Sequence, residues 1–373
     1  MKIVIINKHI SDSLGGSEMQ CDLIARGLTS RGHQVIYFAV MKKNKSATEY
    51  NGLPYDVVPF DIAVEDKGSE LFKTIRPDIV YWRYNKNKLS DIVTICKRLS
   101  IPFVFAISSS SDVHFLPSWE RTLAIYKHKN FLTSTKKVLN NFIYHLRAIH
   151  AYKNIDAITT LNSEYIDILP VKKQITIWNG VPTQVGKFFW EKPYCLWVAS
   201  IKSIKRPELY ISLSEKMADR IPELDFLMVG SIQDPSYKRI IEEASKQSNF
   251  HYLGPKSPED VNKALKGAHC LVHTCQREGF GNNFIQSWLM GCPTISYNFD
   301  PDKLIKNLNI GFVSGNVDQM ASDVTLLWNN KDLRGQIIKK AMTFAKENMT
   351  PEVMCEKLER FLEDVIANYE NYN

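Results

Sequence analysis

The chain has 373 residues, 44% of them hydrophobic and 23% charged, which favours two folded domains and excludes wholesale disorder. No apolar run reaches the roughly 18 residues of a membrane-spanning helix, and the start of the chain turns polar too early for a secretory signal. The seven cysteines are odd in number and never spaced C-x-x-C, so we expect a cytoplasmic protein with reduced thiols, no structural zinc and no disulfide framework.

Strand-like and helix-like segments alternate from the start of the chain. Lys2–Asn7 is a short apolar run, a loop with Gly15 and Gly16 follows, and helical spacing continues from Glu18 to Arg31. Further apolar runs occupy residues 34–39, 78–82, 102–107, 157–160 and 175–178. Continuous apolar strands that alternate with helices predict a parallel sheet covered on both faces.

The same alternation restarts after a loop at residues 183–192. Apolar runs then occupy residues 196–199, 226–229, 251–253, 270–274, 294–297 and 311–313. We therefore predict an α/β fold of two doubly wound, Rossmann-like domains, 1–185 and 186–351. A terminal helix at about 352–373 is expected to pack back on the first domain.

Basic residues are concentrated in the first half of the chain. Residues 1–190 contain 25 Lys and Arg against 16 Asp and Glu, a net charge of +9, whereas residues 191–373 contain 22 against 24. Residues 115–155 are the extreme case, with seven bases and one acid. This asymmetry suits an anionic partner, or it forms a solvated helix face. No recognised nucleic-acid-binding module occurs, so a nucleic-acid partner is not expected.

Two short segments follow predicted strands and suit an anion. Gly15-Gly16 would let backbone N–H groups approach a phosphate at the start of a helix, or it is a plain tight turn. The segment 200–208 contains Lys202, Lys205 and Arg206. Three cations within five residues could hold a diphosphate, although the same composition is common where a surface helix begins.

The strongest constellation is the segment 277–293, which begins after a buried strand. A glycine-rich turn leads into helical spacing from about Asn282, and this arrangement presents free N–H groups and the positive end of a helix dipole. Glu278 and Gln286 lie about two turns apart and suit two sets of hydroxyls, such as those of a sugar and a ribose. The alternatives are an ordinary N-terminal helix acid at Glu278 and a surface amide at Gln286.

Several segments occur together in the order seen in one large family: Gly15–Glu18, Arg31–Val35, Arg76–Val80, Asn179–Val181, the Lys205 segment and the Glu278 loop. Nearly the whole chain resembles the retaining, nucleotide-sugar-dependent glycosyltransferases of GT-B fold, family 4. The most specific part is the Glu278 motif with Gly291-Cys292-Pro293 behind it. The resemblance implies that residues 1–185 bind the acceptor and that residues 186–351 bind the nucleotide sugar.

The resemblance also implies roles for individual residues. Glu278 corresponds to the first acid of the Glu-x7-Glu motif, which holds hydroxyls of the donor sugar, and Lys205 to the lysine that neutralises the departing phosphate. These two are the expected catalytic residues. The diphosphate would meet the backbone of Phe280, Gly281, Asn282 and Asn283. Gly15 and Gly16 would approach the donor from the opposite domain.

Three positions depart from the family pattern. Gln286 replaces the second acid, where an amide can still bond ribose hydroxyls as donor and acceptor. Ser200 replaces an arginine, whose charge Lys202 would supply. A serine replaces the histidine often found at the end of the fifth strand. Asp112 or His114 would then contact the donor sugar or the acceptor, unless His114 is a plain surface histidine.

The implied function is transfer of a sugar from a nucleotide-diphosphate sugar to a glycan or lipid-linked acceptor, in cell-surface polysaccharide or glycoconjugate biosynthesis. No metal or other cofactor is expected, because the single Asp-x-Asp, at residues 300–302, is interpreted as a turn. Two alternatives stay open. One is a non-catalytic nucleotide-sugar-binding or scaffold protein, which Gln286 and Ser200 favour, and the other is a nucleotide-sugar epimerase of similar fold.

The segment 115–152 predicts an amphipathic helix. The apolar residues at helical spacing are Leu139, Phe142, Ile143, Leu146 and Ile149, and the cations near them are Lys136, Lys137 and Arg147. One interpretation is peripheral attachment to the inner face of an anionic cell membrane. The other is that the apolar stripe packs into the core of the first domain while the cations stay solvated.

Overall fold

A computed structural model describes residues 1–12, 15–40, 50–61, 65–84, 86, 89–113 and 131–372 of the chain. The chain divides into two compact units: Met1–Trp178 with Pro351–Asn373, and Asn179–Thr350. The division thus falls after Trp178, seven residues before the position expected from the sequence. Among the described residues, no helix is long and apolar enough to cross a membrane.

Helices and strands alternate through both units. The strands are β1 (Lys2–Asn7), β2 (Gln34–Val40), β3 (Asp56–Phe60), β4 (Ile79–Trp82), β5 (Phe103–Ile107), β6 (Ala157–Thr160), β7 (Lys173–Thr176), β8 (Tyr194–Val198), β9 (Asp225–Val229), β10 (Phe250–Tyr252), β11 (Cys270–His273), β12 (Thr294–Ser296) and β13 (Gly311–Val313). The helices are α1 (Gly16–Ser30), α2 (Glu65–Ile75), α3 (Leu89–Arg98), α4 (Ser110–Val113), α5 (Phe131–Tyr152), α6 (Pro207–Ala218), α7 (Tyr237–Ala244), α8 (Pro258–Gly267), α9 (Asn282–Leu289), α10 (Leu304–Leu308), α11 (Val317–Asn329), α12 (Lys331–Asn348), α13 (Pro351–Ala367) and α14 (Tyr369–Tyr372).

The first unit is built on a parallel sheet with the described strand order β3-β2-β1-β4-β5-β6-β7. Successive side chains of a strand point to opposite faces, so Ile3 and Ile5 pack under α1 and α13 while Val4 and Ile6 pack under the helices of the other face. Both faces are therefore covered, as the continuous apolar runs predicted. The strand order changes direction between β1 and β4.

Strand β3 was missed by the sequence analysis, and β7 lies two residues earlier than predicted. The polar Asp56 and the proline at position 59 weaken the strand signal of β3. Proline is tolerated there because β3 lies at the edge of the sheet and pairs with β2 alone.

Helix α13 belongs to the first unit and packs on α1. Gly27 lacks a side chain at the point where Cys355 approaches, and a Cβ atom there would collide with the Cys355 sulfur. Glu359 of α13 forms ion pairs with Arg31 and with His33, whose Nε2 lies 2.6 Å from a Glu359 carboxylate oxygen. Apolar packing and charge pairing thus hold α13 against α1 in the first unit.

The second unit is built on a parallel sheet with the described order β10-β9-β8-β11-β12-β13. Cys195 and Trp197 of β8 pack on one face, against residues of α6 and α11, and Tyr194 and Leu196 pack on the other, against α8. The order changes direction between β8 and β11. The two doubly wound, Rossmann-like units predicted from the sequence are confirmed.

Candidate functional site

The second sheet has one obvious place for a ligand. Strands β8 and β11 lie side by side, with Cys195 opposite Cys270, and the sheet order reverses between them. In open α/β sheets ligands bind outside the carboxyl ends of the strands at such a switch point, because the loops on its two sides diverge and leave a crevice. The loops after β8 and β11 contain the Lys205 and Glu278 segments that the sequence analysis singled out.

The loop after β8 leads into α6 through one short turn. Ile201 pairs with Ile232, and residues 203–205 then form a single 3₁₀ turn. Arg206 has the left-handed backbone conformation, with φ of 50°, and α6 begins directly after it with a proline at its first position. The Arg206 guanidinium lies 4.6 Å from the centre of the Tyr297 ring. This cation–π contact leaves Lys202 and Lys205 as the cations at the strand end.

Hydrogen bonds join the loop after β8 to the loop after β11. The Thr274 hydroxyl accepts a hydrogen bond from the Trp197 indole at 2.8 Å and donates one to the Lys205 carbonyl at 2.7 Å. The Gln276 amide donates to the Ile204 carbonyl at 3.1 Å. The backbone positions of both functional segments are therefore fixed to each other before any ligand arrives.

Lys205 and Glu278 form an ion pair at this junction, in which the Lys205 ammonium donates to a Glu278 carboxylate oxygen. The two side chains are only 20% and 12% exposed. Burial favours the neutral form of Glu278, but His273 and Lys205 outweigh it and lower the pKa of this carboxyl to about 2. Burial likewise opposes the charged form of Lys205, yet Glu278 and Cys275 raise the pKa of its ammonium. Both groups are therefore charged at neutral pH.

His273 is the third member of this group, and sequence reasoning missed it. Its side chain is 3% exposed, and its Nε2 lies 3.5 Å from a carboxylate oxygen of Glu278. Phe284 and Phe299 lie against the imidazole, with ring centres at 4.4 and 5.8 Å. A single histidine at the end of an apolar strand gives no local sign of function in the sequence. Only the folded structure shows that His273 lies next to Glu278.

Gly281 directly precedes α9 as its N-cap residue and has φ of +85°. A side chain at Gly281 would be strained by that φ and would crowd the Glu278 carboxylate and the Phe284 ring. No side chain caps α9 at this position, within the part of the chain that the structure describes. The positive end of the helix dipole thus lies at the same loop as the Lys205–Glu278 pair, which suits an anionic ligand.

The side chains at the start of α9 form hydrogen bonds within the second unit. Asn179 donates to the Asn282 side-chain oxygen at 2.8 Å, and the Asn283 amide donates to the Val198 carbonyl at 3.1 Å. Phe280 is 1% exposed. With these side chains engaged, the part of residues 280–283 that suits a diphosphate is the backbone, as the resemblance implied.

Gln286 has a protein partner that the sequence did not reveal. Its amide nitrogen donates to the Asn262 side-chain oxygen at 3.0 Å. The Asn262 amide nitrogen in turn donates to the carbonyls of Pro182 and Gln184. This chain of amides joins α9, α8 and the start of the second unit, and it uses only the nitrogen of Gln286. Its carbonyl oxygen remains suited to accept a hydrogen bond from a hydroxyl.

The remaining predicted residues are divided between the two units. Ser200 and Lys202 follow β8 in the second unit, in the same loop as Lys205. Gly15 and Gly16 lie in the first unit, where Gly15 precedes α1 in an extended conformation. Asp112, also in the first unit, accepts hydrogen bonds from the amides of Ser108 and Ser109 at 3.0 and 2.9 Å, so local bonding accounts for its carboxylate. His114 lies outside the described residues.

The chain directly after β1 is held by a buried histidine, His9. The Ser11 amide donates to Nδ1 of His9, so Nε2 carries the proton and lies 2.9 Å from the Tyr55 hydroxyl. Tyr55 donates in turn to Asp22 at 2.5 Å. Burial lowers the pKa of His9 and keeps the ring neutral. Hydrogen bonds of His9 with Ser11 and Tyr55 therefore fix the chain at the carboxyl end of β1.

The residues of the second-unit site include one set of possible metal ligands. The imidazole of His273, the thiol of Cys275 and the carboxylate of Glu278 offer ligand atoms that lie within 4.8 Å of one another. The Asp-x-Asp segment instead forms a turn, since the Asp300 carboxylate accepts hydrogen bonds from the amides of Ile305 and Lys306.

Comparison with known proteins bears on the fold and on the second unit. Residues 184–344 match the family model described as glycosyl transferases group 1. No curated protein sequence matches the chain. Among solved structures, a glycosyltransferase from Rickettsia africae has a TM-score of 0.75 at 15% identity, over 98% of this chain and 99% of its own. HepE from Anabaena in complex with UDP has a TM-score of 0.73 at 15% identity, over 98% and 100%.

Proteins with a different activity also have this fold. A putative UDP-N-acetylglucosamine 2-epimerase from Listeria monocytogenes has a TM-score of 0.63 at 10% identity, over 100% of this chain and 97% of its own. The chain therefore has the GT-B fold, and residues 184–344, within its second unit, are similar to the group 1 glycosyl transferases.

Proposed function

We propose that this protein is a retaining glycosyltransferase that moves a sugar from a nucleoside-diphosphate sugar to a glycan or lipid-linked acceptor. The observation that carries the proposal is the buried Lys205–Glu278 pair at the switch point of the second sheet, beside the start of α9. A fixed cation and a fixed anion there match the two ends of a sugar diphosphate.

The chemistry needs charge stabilisation at the leaving group. The bond between the anomeric carbon and the diphosphate oxygen breaks, and the acceptor hydroxyl oxygen forms the new bond to that carbon. The hydroxyl proton ends on the departing diphosphate. Lys205, Lys202 and the N-terminal end of α9 neutralise the negative charge that develops, which in a preorganised site is commonly the largest contribution to rate. We propose that this transfer needs no metal.

Glu278 acts as a hydrogen-bond acceptor for hydroxyls of the donor sugar. Its low pKa and its pairing with Lys205 keep it ionised, and an ionised carboxylate accepts several hydrogen bonds at once. The acceptor attacks from the face that the diphosphate leaves, so the configuration at the anomeric carbon is retained. The Gln286 carbonyl oxygen and the Ser200 hydroxyl are proposed nucleotide contacts.

The acceptor is proposed to be glycan or lipid-linked, in cell-surface polysaccharide or glycoconjugate biosynthesis, and α5 supports contact with a membrane surface. Four of its stripe residues, Leu139, Phe142, Ile143 and Leu146, are 41–57% exposed, which favours a surface contact over packing into the core. Lys136 and Arg147 are exposed beside it. An apolar stripe with basic neighbours suits an anionic bilayer surface. Residues 114–130, the start of the predicted basic segment, lie outside the described residues.

The experiment that tests the function combines binding with turnover. Thermal-shift measurements with UDP-, GDP- and ADP-sugars identify the donor, and release of the nucleoside diphosphate with and without acceptor extracts measures transfer and hydrolysis. Glu278→Gln is compared with Glu223→Gln, an exposed glutamate of the same unit. Activity in wild type and Glu223→Gln but not in Glu278→Gln supports transfer.

The same experiment separates the two alternatives. Donor binding without release of the diphosphate in any variant supports a binding or scaffold protein. Conversion of the sugar without a requirement for an acceptor supports an epimerase. The group 1 family model favours transfer over both.

A further inference from the structure

We propose that His273, Cys275 and Glu278 bind a zinc-like divalent cation that inhibits the enzyme by displacing Lys205 from the donor site. The cation site follows from these three side chains alone. Inhibition of transfer rests in addition on the proposed function. The ion is a regulator or poison in this proposal, never a cofactor.

The three side chains belong to one short piece of chain. They lie at the end of β11 and in the loop that follows, at positions i, i+2 and i+5, and their ligand atoms lie within 4.8 Å of one another. Zinc binds nitrogen, sulfur and oxygen ligands at about 2.0–2.3 Å, so its ligands in a tetrahedron lie about 3.3–3.8 Å apart. A tetrahedral site would therefore require the longest of these separations to shorten by up to about 1–1.5 Å.

His273 points to a ligand because it is buried with its ring nitrogens poorly satisfied. Its side chain is 3% exposed, Nε2 has only the 3.5 Å approach to Glu278, and Nδ1 has no hydrogen-bond partner within the described structure. Buried polar groups in proteins are nearly always paired. The ring packs against Phe284 and Phe299 with Nε2 3.5 Å from the Glu278 carboxylate, so a cation between His273 and Glu278 would receive a preorganised nitrogen ligand.

The site is already a cation site, and its resident cation is an ammonium. Lys205 contacts Glu278, and Cys275 lies close enough to raise the pKa of Lys205 together with Glu278. A divalent ion would compete for the same carboxylate and would repel the ammonium. The three ligands then surround the ion, and Lys205 moves away from the position in which it neutralises a diphosphate.

The ligand set selects the kind of metal. Imidazole, thiolate and carboxylate suit zinc and cobalt, whereas magnesium and calcium prefer oxygen ligands alone. On binding, the Cys275 thiol gives its proton to the solvent and its sulfur lone pair to the metal, and no electron is transferred. The second described cluster of this kind, His33 with Glu359 and Glu363, lacks a thiol and is paired with Arg31.

Cobalt gives a direct test on the full chain, because a thiolate ligand produces a charge-transfer absorption band that oxygen and nitrogen ligands lack. We expect this band on titration of wild type with Co²⁺, and its loss when Zn²⁺ is added. Cys275→Ser should abolish the band, whereas Cys96→Ser, which removes a buried thiol of the first unit, should leave it unchanged. His273→Asn should weaken Co²⁺ affinity by about tenfold or more. Residues that only hydrogen-bond to a metal ligand already contribute about that much to metal affinity.

Lys205→Met should strengthen metal binding, whereas the ligand variants should weaken it. Removal of the competing ammonium should tighten Zn²⁺ binding by about tenfold or more, as measured by competition with Co²⁺. Circular dichroism verifies that each variant is folded. No band in wild type, or a band that persists in Cys275→Ser, overturns the cation site.

Inhibition is measured separately from binding. Micromolar Zn²⁺ should abolish turnover of wild type and Cys96→Ser, a chelator should restore it, and equal Mg²⁺ should have no effect. A chain that shows the cobalt band but no transferase activity contradicts the proposed function and leaves the cation site intact. An active chain that binds Co²⁺ through Cys275 and ignores Zn²⁺ contradicts the regulatory role.

Discussion

Lys205 and Glu278 are 73 residues apart in the chain and form a buried ion pair, because each follows one of two neighbouring parallel strands. Parallel strands bring their carboxyl ends to the same edge of the sheet, so side chains distant in sequence meet there. The pair is nonetheless a demanding arrangement. Removal of one partner leaves the other as an uncompensated buried charge.

Glu278→Gln should lower turnover by about two orders of magnitude, since preorganised polar contacts commonly contribute that much. It should also lower the free energy of unfolding by about 3–5 kcal/mol, because Lys205 loses its counter-charge while both side chains are mostly buried. Turnover and chemical unfolding measure the two effects.

The double variant Lys205→Met with Glu278→Gln separates those effects. It should be destabilised by less than the sum of the two single variants, because no charge is left unpaired. Its turnover should stay as low as that of Glu278→Gln. Near-wild-type turnover in Glu278→Gln would contradict the role of Glu278 in the site. If the double variant lost as much unfolding free energy as the two single variants together, the ion pair between Lys205 and Glu278 would be contradicted.

Gln286→Glu should retain turnover but lose stability. Glutamate is the family's usual residue here, and its oxygens can still accept hydrogen bonds from hydroxyls. The Asn262 side-chain oxygen, however, would lose the amide donor that now bonds it at 3.0 Å and would face a carboxylate. Leaving a partly buried acceptor unpaired costs about 1–3 kcal/mol.

Gln276→Glu is the matched control for that prediction, because the Gln276 side chain is exposed in the loop that precedes α9. Its unfolding in urea should follow wild type. A stable but inactive Gln286→Glu would show that the reaction needs the amide nitrogen itself, and an unaltered stability would remove Asn262 as its partner.

The sequence predicted the strands that are buried on both faces and the loop that carries the site, because long apolar runs and glycine turns are local signals. Partners that depend on how elements pack gave no such signal. The bond between Gln286 and Asn262 requires α8 and α9 to be neighbours, and the place of His273 requires the end of β11 to lie against Glu278. Helical spacing likewise showed the apolar stripe of α5 without showing whether it is covered.

Asp156 should make stability depend on pH. It lies before β6, 7% exposed, and accepts a hydrogen bond from the Phe103 amide at 2.8 Å. Burial raises the pKa of this carboxyl to about 6, against the opposing effects of that hydrogen bond and of Lys97. The folded state then holds the proton more tightly than the unfolded state. The contribution of Asp156 to stability is therefore fully present below about pH 4 and is lost as the pH rises through about 6.

Asp156→Asn removes this dependence and keeps an oxygen that can accept the Phe103 hydrogen bond. We expect it to be more stable than wild type above pH 6, by at most about 3 kcal/mol from a pKa difference of about two units, and equal to it near pH 4. Urea unfolding between pH 4 and 8 checks this. Asp56→Asn, at an exposed strand position, should follow wild type throughout. A difference that is constant with pH would contradict the titration of Asp156.

The membrane proposal predicts that α5 binds anionic vesicles through its apolar stripe. Leu139→Glu and Leu146→Glu place a negative charge at positions 57% and 52% exposed, next to Lys136 and Arg147. Each charge opposes burial in the headgroup region and cancels a basic residue, whose attraction to such a surface is about 1 kcal/mol. Flotation with vesicles that contain phosphatidylglycerol should therefore recover wild type and much less of either variant, and raised salt should weaken the binding of wild type.

Leu326→Glu is the control for that experiment, because Leu326 is a 41% exposed leucine of the second unit, in α11. It should float like wild type. Equal recovery with neutral and anionic vesicles, or equal recovery of all variants, would remove α5 as a membrane contact. The charge of the first half would then be explained by an anionic acceptor that binds from solution, and transfer to a water-soluble glycan rather than to a lipid-linked one would become the reaction to measure.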